Sequence, residues 1–521
     1  MLELEADDLA RAGKVAGLEF TEAEIALMRE GVDENLRSYR RLWEIDLPNG
    51  VAPVLVFSPL LGRAEFPAET LKPVPRLLPE VERPENLEDL AFADIPTLAS
   101  LIQSKKVSCL ELTEMYIERL KRLDEKLACV VTLTEDRART QARERDRELA
   151  AGRSRGILHG IPWGAKDLLA TKGIRTTWGA KPFEGQVLDE DASVVRRLDE
   201  AGAILVAKLT LGALAWGDVW FGGQTKNPWK LDQGSSGSSA GPAAATAAGA
   251  VAFSIGSETY GSIVSPSSRC GNSSLRPTFG RVSRHGAMAL SWSMDKLGPI
   301  CRSVGDAANV FGAIQGRDPL DDSTIEAPFT DLGPIDVKEW KVGHVKGAWR
   351  SEEEEARILS TLTGLGVELV PVELPDFPVQ PLLTILSVEA ATAFDELTRS
   401  GRDDLLVRQV ARAWPNEFRQ ARLIPAVEYV RANRLRRLLM IEMNRRFEGL
   451  DALVHPTGHG FLVAALNLTG HPTVCLPSGF REDGTPRSVS FSGPLFGEGR
   501  ILAVAEAWQR ATGHHLVHPN L

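Results

Sequence analysis

The sequence has few cysteines, and they follow no recognisable pattern. The five cysteines, at positions 109, 129, 270, 301 and 475, form an odd set without a C-x-x-C pair. An odd number argues against a disulfide framework, and the spacing argues against a zinc ribbon. We therefore expect a chain that folds in a reducing compartment without cross-links and without a bound metal.

Long apolar runs and concentrated positive charge are also missing. No window approaches the roughly 18 uninterrupted apolar residues of a membrane span, and the acidic N-terminus lacks the apolar stretch of a secretory signal. The 60 basic and 70 acidic residues give a net charge of −10, and the basic residues are scattered. A nucleic-acid partner would require a basic patch. These absences predict a cytoplasmic protein with a small-molecule substrate and neither nucleic acid nor membrane as partner.

The composition that remains is typical of a globular protein. A hydrophobic share of 43% and a charged share of 25% exclude disordered, collagen-like and coiled-coil chains. Helical patterns alternate with short apolar runs such as residues 203–207, which indicates an α/β fold. Glycine is abundant, with 46 residues, whereas aromatic residues make up only 6% of the chain. Because glycine lets backbone segments approach each other closely, clusters of glycine are candidate sites for chemistry.

The first 88 residues read as an extension of the main body. Thr21 and Glu24 form a capping box that predicts a helix, whose apolar face must dock somewhere. Eight prolines between positions 48 and 84 predict an extended strap over the body. We place the catalytic domain at residues 89–521. A helical elaboration at about 326–450, including helices at 389–397 and 427–447, is expected to shape the substrate pocket together with the strap.

Glycine and serine cluster in the segment 232–249, directly ahead of an alanine-rich helical stretch. A flexible linker is one interpretation. Serines at a helix N-terminus, where N–H groups favour negative charge, are the other. Neither the P-loop nor the dinucleotide-binding spacing is present. Gly237-Ser-Ser239-Ala-Gly241 fits the nucleophile elbow of α/β-hydrolases, with Ser239 as nucleophile, but that elbow needs an apolar strand upstream, where residues 227–234 read as loop.

Two further segments suggest a different serine chemistry. Lys166 directly follows an apolar, glycine-bearing run, a context that removes water from its ammonium and lowers its pKa toward that of a general base. Ser262 lies in a glycine-bearing turn at 256–266, whose backbone N–H groups could bind an anion. The segments together supply a base, a relay hydroxyl and a nucleophile beside an oxyanion site.

At these segments the sequence resembles the amidase signature family. The matching blocks follow in the family's order at residues 160–167, 238–241, 256–263, 275–283, 295–299, 306–307, 467–472 and 476–480. The resemblance covers about residues 90–521. It implies a single large α/β/α sandwich around a mixed β-sheet and an amidase without cofactor or metal, as a monomer or homodimer.

The serines are assigned by spacing, because two Gly-Ser-Ser runs imitate the family's loop. In the family the bridging serine precedes the nucleophile by 24 positions, which selects Ser238 rather than Ser235 when Ser262 is the nucleophile. The resemblance then implies that Lys166 is the base, that Ser238 follows a cis peptide bond, and that the backbone N–H groups of Thr259, Tyr260, Gly261 and Ser262 form the oxyanion hole. Tyr260 and Ser239 are expected to contact substrate.

The sequence departs from the family around the nucleophile. The usual Asp, Gly and Arg of this block are Glu258, Tyr260 and Val264, so an aromatic ring stands where glycine is common. We interpret Cys270 as a small core residue. His455 and His459 are four apart but lack a matching carboxylate, so no metal is expected. Of six tryptophans near the catalytic blocks (163, 178, 216, 220, 229 and 292), one or two could line an apolar pocket.

These features favour hydrolysis of small to medium neutral, hydrophobic amides through a serine acyl-enzyme, with ester or carbamate cleavage as a side activity. Three alternatives stay open. The chain could be the glutaminase subunit of a tRNA-dependent amidotransferase, an esterase of the α/β-hydrolase type with Ser239 as nucleophile, or a non-catalytic binding protein on the same scaffold.

Overall fold

The computed structural model describes residues 5–62, 66 and 69–521. Within these residues the chain forms sixteen α-helices and fifteen β-strands. The helices are α1 (Ala6–Val15), α2 (Glu22–Trp43), α3 (Ile95–Gln103), α4 (Cys109–Leu127), α5 (Glu135–Ala150), α6 (Ser193–Glu200), α7 (Ala240–Ala247), α8 (Val264–Cys270), α9 (Val304–Ile314), α10 (Glu352–Gly364), α11 (Thr384–Ala393), α12 (Asp395–Ser400), α13 (Trp414–Ala421), α14 (Ala426–Arg446), α15 (Gly460–Thr469) and α16 (Glu498–Thr512). The strands are β1 (Val130–Leu133), β2 (Pro162–Lys166), β3 (Ile204–Leu209), β4 (Val219–Trp220), β5 (Gly223–Gln224), β6 (Lys226–Asn227), β7 (Lys230–Gly234), β8 (Phe253–Glu258), β9 (Ser273–Arg276), β10 (Lys296–Cys301), β11 (Lys341–His344), β12 (Glu368–Pro371), β13 (Ala452–Pro456), β14 (Thr473–Phe480) and β15 (Pro486–Ser492).

Eleven of these described strands form one mixed sheet in the order β1-β3-β2-β8-β10-β9-β14-β15-β13-β11-β12. Strands β3, β2 and β8 run parallel, and β8 is followed by antiparallel pairs as far as β13. The strands β2, β3, β8 and β10 are buried along their whole length, because helices cover both faces of the sheet. The predicted α/β/α sandwich around a mixed sheet is confirmed, as is the predicted strand at 203–207.

The N-terminal extension begins with the helix pair α1 and α2. Thr21 caps α2, as the sequence predicts, and accepts a hydrogen bond from the backbone of Glu24 at 3.3 Å. Burial of the apolar face of α2 is only partial: Ile25 is buried, whereas Trp43 at the other end lies beneath the guanidinium groups of Arg399 and Arg422. No helix in the described part of the chain is long and apolar enough to cross a membrane.

The proline-rich segment runs over the body without helix or strand in its described residues until residue 87, as expected; Pro67 lies outside them. Partly buried ion pairs fasten it. The guanidinium of Arg76 contacts Asp331 at 2.8 Å and Glu506 at 2.6 Å, and the backbone N–H of Val74 donates to the carbonyl of Leu332. These contacts join the extension to the segment at 331–332 and to α16.

The sequence suggested a helical region at 326–450, but this region also contains strands. It contributes β11 and β12, which extend the main sheet beyond β13 through parallel pairing. The helix expected at 389–397 is also interrupted, because Phe394 leaves helical geometry with a φ of −123° and a ψ of 26°. Its ring packs between Trp178 and Phe418, so tertiary packing separates α11 from α12 at this residue. The helix predicted at 427–447 is found as α14.

Candidate functional site

Adjacent parallel strands bring the predicted catalytic segments together. Lys166 is the last residue of β2, and Glu258 is the last residue of β8, which pairs with β2 in parallel. The carboxyl ends of parallel strands lie at the same edge of a sheet, where α/β proteins commonly bind their ligands. The loop between β8 and α8, which contains Ser262, and the loop before α7, which contains Ser238, both meet at this edge.

Lys166 is fully buried and surrounded by hydroxyl groups. Its Nζ lies 2.8 Å from Ser238 Oγ, 2.8 Å from Ser257 Oγ and 3.1 Å from Ser239 Oγ. Burial lowers the pKa of the Lys166 ammonium well below 10.5, and the more distant charges of Asp295 and Glu258 do not offset it. The neutral amine, which can accept a proton from a serine hydroxyl, is therefore favoured here.

A second buried lysine, Lys208 on β3, provides a contrast. Its Nζ forms an ion pair with Asp167 at 2.9 Å. Among the described residues, Lys166 has no such carboxylate within 4.0 Å. Burial lowers the pKa of Lys208 as well, but its ammonium has a counter-charge in direct contact, whereas that of Lys166 has none in the described structure.

Ser238 follows a cis peptide bond with Gly237, as the resemblance implied. Ser239 is fully buried, and its expected contact with substrate stays a prediction. Its hydroxyl donates to the carbonyl of Ser257 at 3.1 Å and accepts from the N–H of the same residue at 3.2 Å. Ser239 is thus placed to hold Lys166 and β8 in position.

The segment before these serines is not the loop that the sequence suggested. Strands β6 and β7 form a small two-stranded ribbon there, with Asn227 opposite Lys230. The ribbon lies outside the eleven-stranded sheet. A nucleophile elbow requires its strand within the main sheet, so this geometry and the inward hydroxyl both argue against Ser239 as a nucleophile.

Ser262 is half-buried at the start of the turn into α8. In the described residues, none of the backbone N–H groups at 259–262 donates to another residue, so all four are free to receive an oxyanion. Gly261 has a φ of +85°, a left-handed conformation that glycine adopts at little cost. No hydrogen bond joins the hydroxyls of Ser238 and Ser262 in the described structure, as is common for catalytic groups without substrate.

The carboxylate of Glu258 holds the loop that carries Ser262. One oxygen accepts from the N–H groups of Ile263 at 2.8 Å and Val264 at 3.0 Å, and the other accepts from Arg276 at 2.8 Å and Asn467 at 2.9 Å. Burial raises the pKa of Glu258, but the charge and hydrogen bond of Arg276 outweigh it and hold the pKa at about 2. Glu258 therefore stays ionised. It ends β8 and binds the start of α8, so it connects the two ends of the loop that carries Ser262.

A cavity of about 1040 Å³ opens beside this loop. Its inner wall contains Ser257, which touches Lys166, and Thr259, whose hydroxyl donates to Asp295 at 2.5 Å. Its outer wall is the N-terminal strap at residues 46–56. Trp178 and Trp292, two of the six tryptophans considered above, line it, whereas Trp163 is buried in the core.

Tyr260 is not among the described residues that line this cavity. Its ring packs against the cluster formed by α11, α14 and α15, and its hydroxyl lies 3.5 Å from Gln380 Nε2. The aromatic ring that replaces the family's glycine thus faces the helical elaboration, and its expected contact with substrate stays a prediction.

Ser257 is the site residue that the sequence analysis missed. It accepts a hydrogen bond from Lys166 Nζ and exchanges two hydrogen bonds with Ser239. The sequence offered one signal for Ser257, its position at the buried end of β8, one residue before Glu258. Because successive side chains of a strand point to opposite faces of the sheet, Ser257 and Glu258 approach different groups.

The histidines and cysteines considered earlier lie in structural positions. His455 is buried, which lowers its pKa to about 4, and His459 caps α15. Cys270 is buried, and burial raises the pKa of its thiol. Within the residues that the structure describes, no group of three or more His, Cys, Asp or Glu side chains is arranged to hold a metal ion.

We predict that Glu258→Gln destabilises the protein by about 3–5 kcal/mol, because it leaves the buried guanidinium of Arg276 without its counter-charge. Urea unfolding followed by circular dichroism measures the change. Glu118→Gln, which removes an exposed partner of Lys121, is the matched control and should cost less than about 1 kcal/mol. Equal stability of Glu258→Gln and the control would contradict the role of Glu258.

Comparison with known proteins places this site in a family. The Amidase family model matches residues 111–461. The chain is 32% identical over 482 residues to a glutamyl-tRNA(Gln) amidotransferase subunit of Cyanothece sp., covering 82% of this chain and 100% of the relative. The native peptide amidase of Stenotrophomonas maltophilia has a similar structure, with a TM-score of 0.72 and 29% identity over 81% of this chain and 98% of that one. The corresponding glutamyl-tRNA(Gln) amidotransferase subunit of Thermotoga maritima gives a TM-score of 0.67 and 25% identity, over 82% of this chain and 96% of that one. The chain therefore belongs to the amidase signature family.

Proposed function

We propose that this protein hydrolyses small to medium neutral, hydrophobic amides through an acyl-enzyme on Ser262. The observation that carries the proposal is the buried amine of Lys166, which lies 2.8 Å from Ser238 Oγ and has hydroxyls rather than carboxylates around it. A buried amine in contact with a serine hydroxyl is suited to removing a proton from that hydroxyl.

The proposed reaction begins when substrate brings the Ser262 hydroxyl within reach of Ser238. Ser262 Oγ attacks the amide carbonyl while its proton passes to Ser238, whose own proton passes to the neutral Nζ of Lys166. The backbone N–H groups of residues 259–262 stabilise the oxyanion, at about 3 kcal/mol for each well-placed donor. The relay then returns the proton to the leaving nitrogen, and water hydrolyses the acyl-enzyme by the same route. Esters and carbamates share the acylation step, so we include them as side substrates.

The cavity of about 1040 Å³ supports the choice of a hydrophobic substrate. Leu168, Trp178, Phe183 and Met288 contribute apolar walls, and Ser257 and Thr259, neighbours in sequence or space of the proposed catalytic groups, also line the cavity. Apolar pockets with a few convergent polar groups are typical of small-molecule sites.

Asn49 fixes the strap to the body beside the cavity. The side-chain amide of Asn49 donates to the carbonyl of Ala289 at 2.9 Å and accepts from the N–H of Ala289 at 2.7 Å. It therefore pairs with the backbone as a neighbouring strand would. We propose that this clamp makes the strap part of the substrate site.

A second candidate function is that of an amidotransferase subunit, because the Cyanothece relative that carries this name matches over its full length. In this role the same acyl-enzyme would form from glutamine, and a partner subunit would take the ammonia. Glutaminase activity, or co-purification of a partner subunit from the native host, would favour this function over stand-alone hydrolysis.

We predict that Ser262→Ala and Lys166→Ala each lower amide hydrolysis by about a thousandfold or more without unfolding the protein, because the nucleophile or its base is removed. Hydrolysis of a panel of anilides, fatty amides, peptide amides, carbamates and glutamine measures the loss and identifies the substrate class. Labelling by a fluorophosphonate, located by mass spectrometry, identifies the nucleophile. Ser360→Ala, an exposed serine on α10, is the control. Full activity or unchanged labelling in Ser262→Ala would exclude the mechanism.

We also predict that kcat/KM rises with pH through the lowered pKa of Lys166, because only the neutral amine accepts the proton. The rise should be complete well below pH 10.5. Rates measured from pH 5 to 10 on a neutral anilide test this, with pH-stability controls at each point. A rate that begins to rise only near pH 10.5 would show that Lys166 keeps its ordinary pKa.

For the strap, we predict that Asn49→Ala raises KM roughly fivefold or more for amides with a large apolar acyl group, because the clamp to Ala289 is lost. Acetamide, too small to reach the outer wall, should be hydrolysed as by the wild type. Asn35→Ala, an exposed asparagine on α2, is the matched control. An equal change for acetamide and for large amides would mean that the clamp supports the fold and not the substrate wall.

A further inference from the structure

A second cavity, of about 910 Å³, shares no described lining residue with the first. It runs along α8 between the segment 233–236 and the turn that joins β14 to β15. Four arginines line it: Arg269, Arg350, Arg481 and Arg487. Such a concentration is unexpected in a chain with a net charge of −10.

The arginines have little counter-charge. Among the described residues, Arg269, Arg350 and Arg481 have no carboxylate within 4.0 Å, and Arg487 has one, Glu354, at 3.9 Å. Burial lowers the pKa of Arg481, and the charges of the other three arginines lower it further. Guanidinium groups that repel one another in a shared cavity would be stabilised by an anion between them.

The carboxylates that line the same cavity leave this charge largely in place. Glu482 is exposed, and Asp483 accepts hydrogen bonds from the N–H and hydroxyl of Thr485 and lies 3.5 Å from Lys230. Glu354 contacts Arg487 only at the distance limit of an ion pair. None of the three therefore neutralises Arg269, Arg350 or Arg481 directly.

Hydroxyl groups line the cavity together with the arginines. Ser236 and Ser265 are hydrogen-bonded at 2.9 Å, and Ser488 donates to Thr457 at 3.0 Å. Each hydroxyl can turn its proton toward a ligand at small cost. Guanidinium groups and hydroxyl donors in one cavity form the donor set that carboxylate and phosphate oxygens require.

We propose that this cavity binds a small oxyanion, a carboxylate or a phosphate, at a site separate from the amide-binding cavity. The guanidinium groups of Arg350 and Arg481 supply charge-assisted hydrogen bonds, and the serine hydroxyls complete the shell. The site does not depend on the proposed hydrolysis, because none of these side chains contacts Lys166 or Ser238.

Isothermal titration of the full-length protein with inorganic phosphate, and separately with malonate, tests the proposal in a chloride buffer of matched ionic strength. We expect saturable binding at one site. Binding of phosphate alone identifies a phosphate ligand, and binding of malonate alone identifies a carboxylate ligand. Binding of both means that the site recognises oxyanions without distinguishing phosphate from carboxylate. The absence of saturable binding for both anions would overturn the proposal.

Two variants locate the site. Arg481→Gln and Arg350→Gln should each weaken binding by about tenfold or more, because each removes a charge-assisted donor. Arg350 is exposed, so its replacement leaves the fold intact even where that of Arg481 does not. Arg153→Gln, an exposed arginine outside the cavity, should bind as the wild type does. Unchanged affinity in Arg350→Gln and in folded Arg481→Gln would place any bound anion elsewhere and refute the assignment.

Discussion

The buried ion pair of Glu258 and Arg276 is the interaction on which the site depends. Glu258 ends β8, Arg276 ends β9, and the same carboxylate receives Asn467 from α15 and two N–H groups from the start of α8. Four elements separated along the chain therefore meet at one charge. Glu258 binds the N–H groups at 263 and 264, and no hydrogen bond from the N–H groups at 259–262 is found in the described residues. The proposed oxyanion site is therefore next to the point where the loop is anchored.

The second constraint is the burial of Lys166 without a paired charge. Lys208, on the next strand, forms a buried ion pair with Asp167 at 2.9 Å. Lys166 Nζ instead contacts three serine hydroxyls, and one of these serines, Ser238, follows a cis peptide bond. Removing an ammonium from water without a counter-ion costs stability, which a neutral amine avoids. The absence of a paired carboxylate among the described residues therefore favours the neutral amine that the proposed mechanism requires, and hydroxyls from the loop before α7 and from β8 surround it.

Much of this arrangement could be predicted from the sequence. The order of the blocks, the spacing of 24 residues between Ser238 and Ser262, and the apolar run before Lys166 all indicated where the reacting groups belong. Ser257 was missed, because its contact with Lys166 joins residues 91 positions apart and no local pattern announces it. The break at Phe394 was missed because it results from packing against Trp178. The strands β11 and β12 were missed because their place depends on parallel pairing with β13, which is distant in the chain.

The sequence by itself determined the α/β class, the family, the identity of the three candidate catalytic side chains and the extended strap, because each depends on residue types at short or regular spacing. Only the tertiary structure decided what these parts enclose. It placed the strap over the cavity through Asn49 and Ala289, which are 240 residues apart, turned Ser239 inward, directed Tyr260 toward the helical elaboration, and gathered four arginines from three segments around a second cavity. The reason is physical: such contacts are selected by the packing of distant elements, and that packing leaves no periodic signal in the chain.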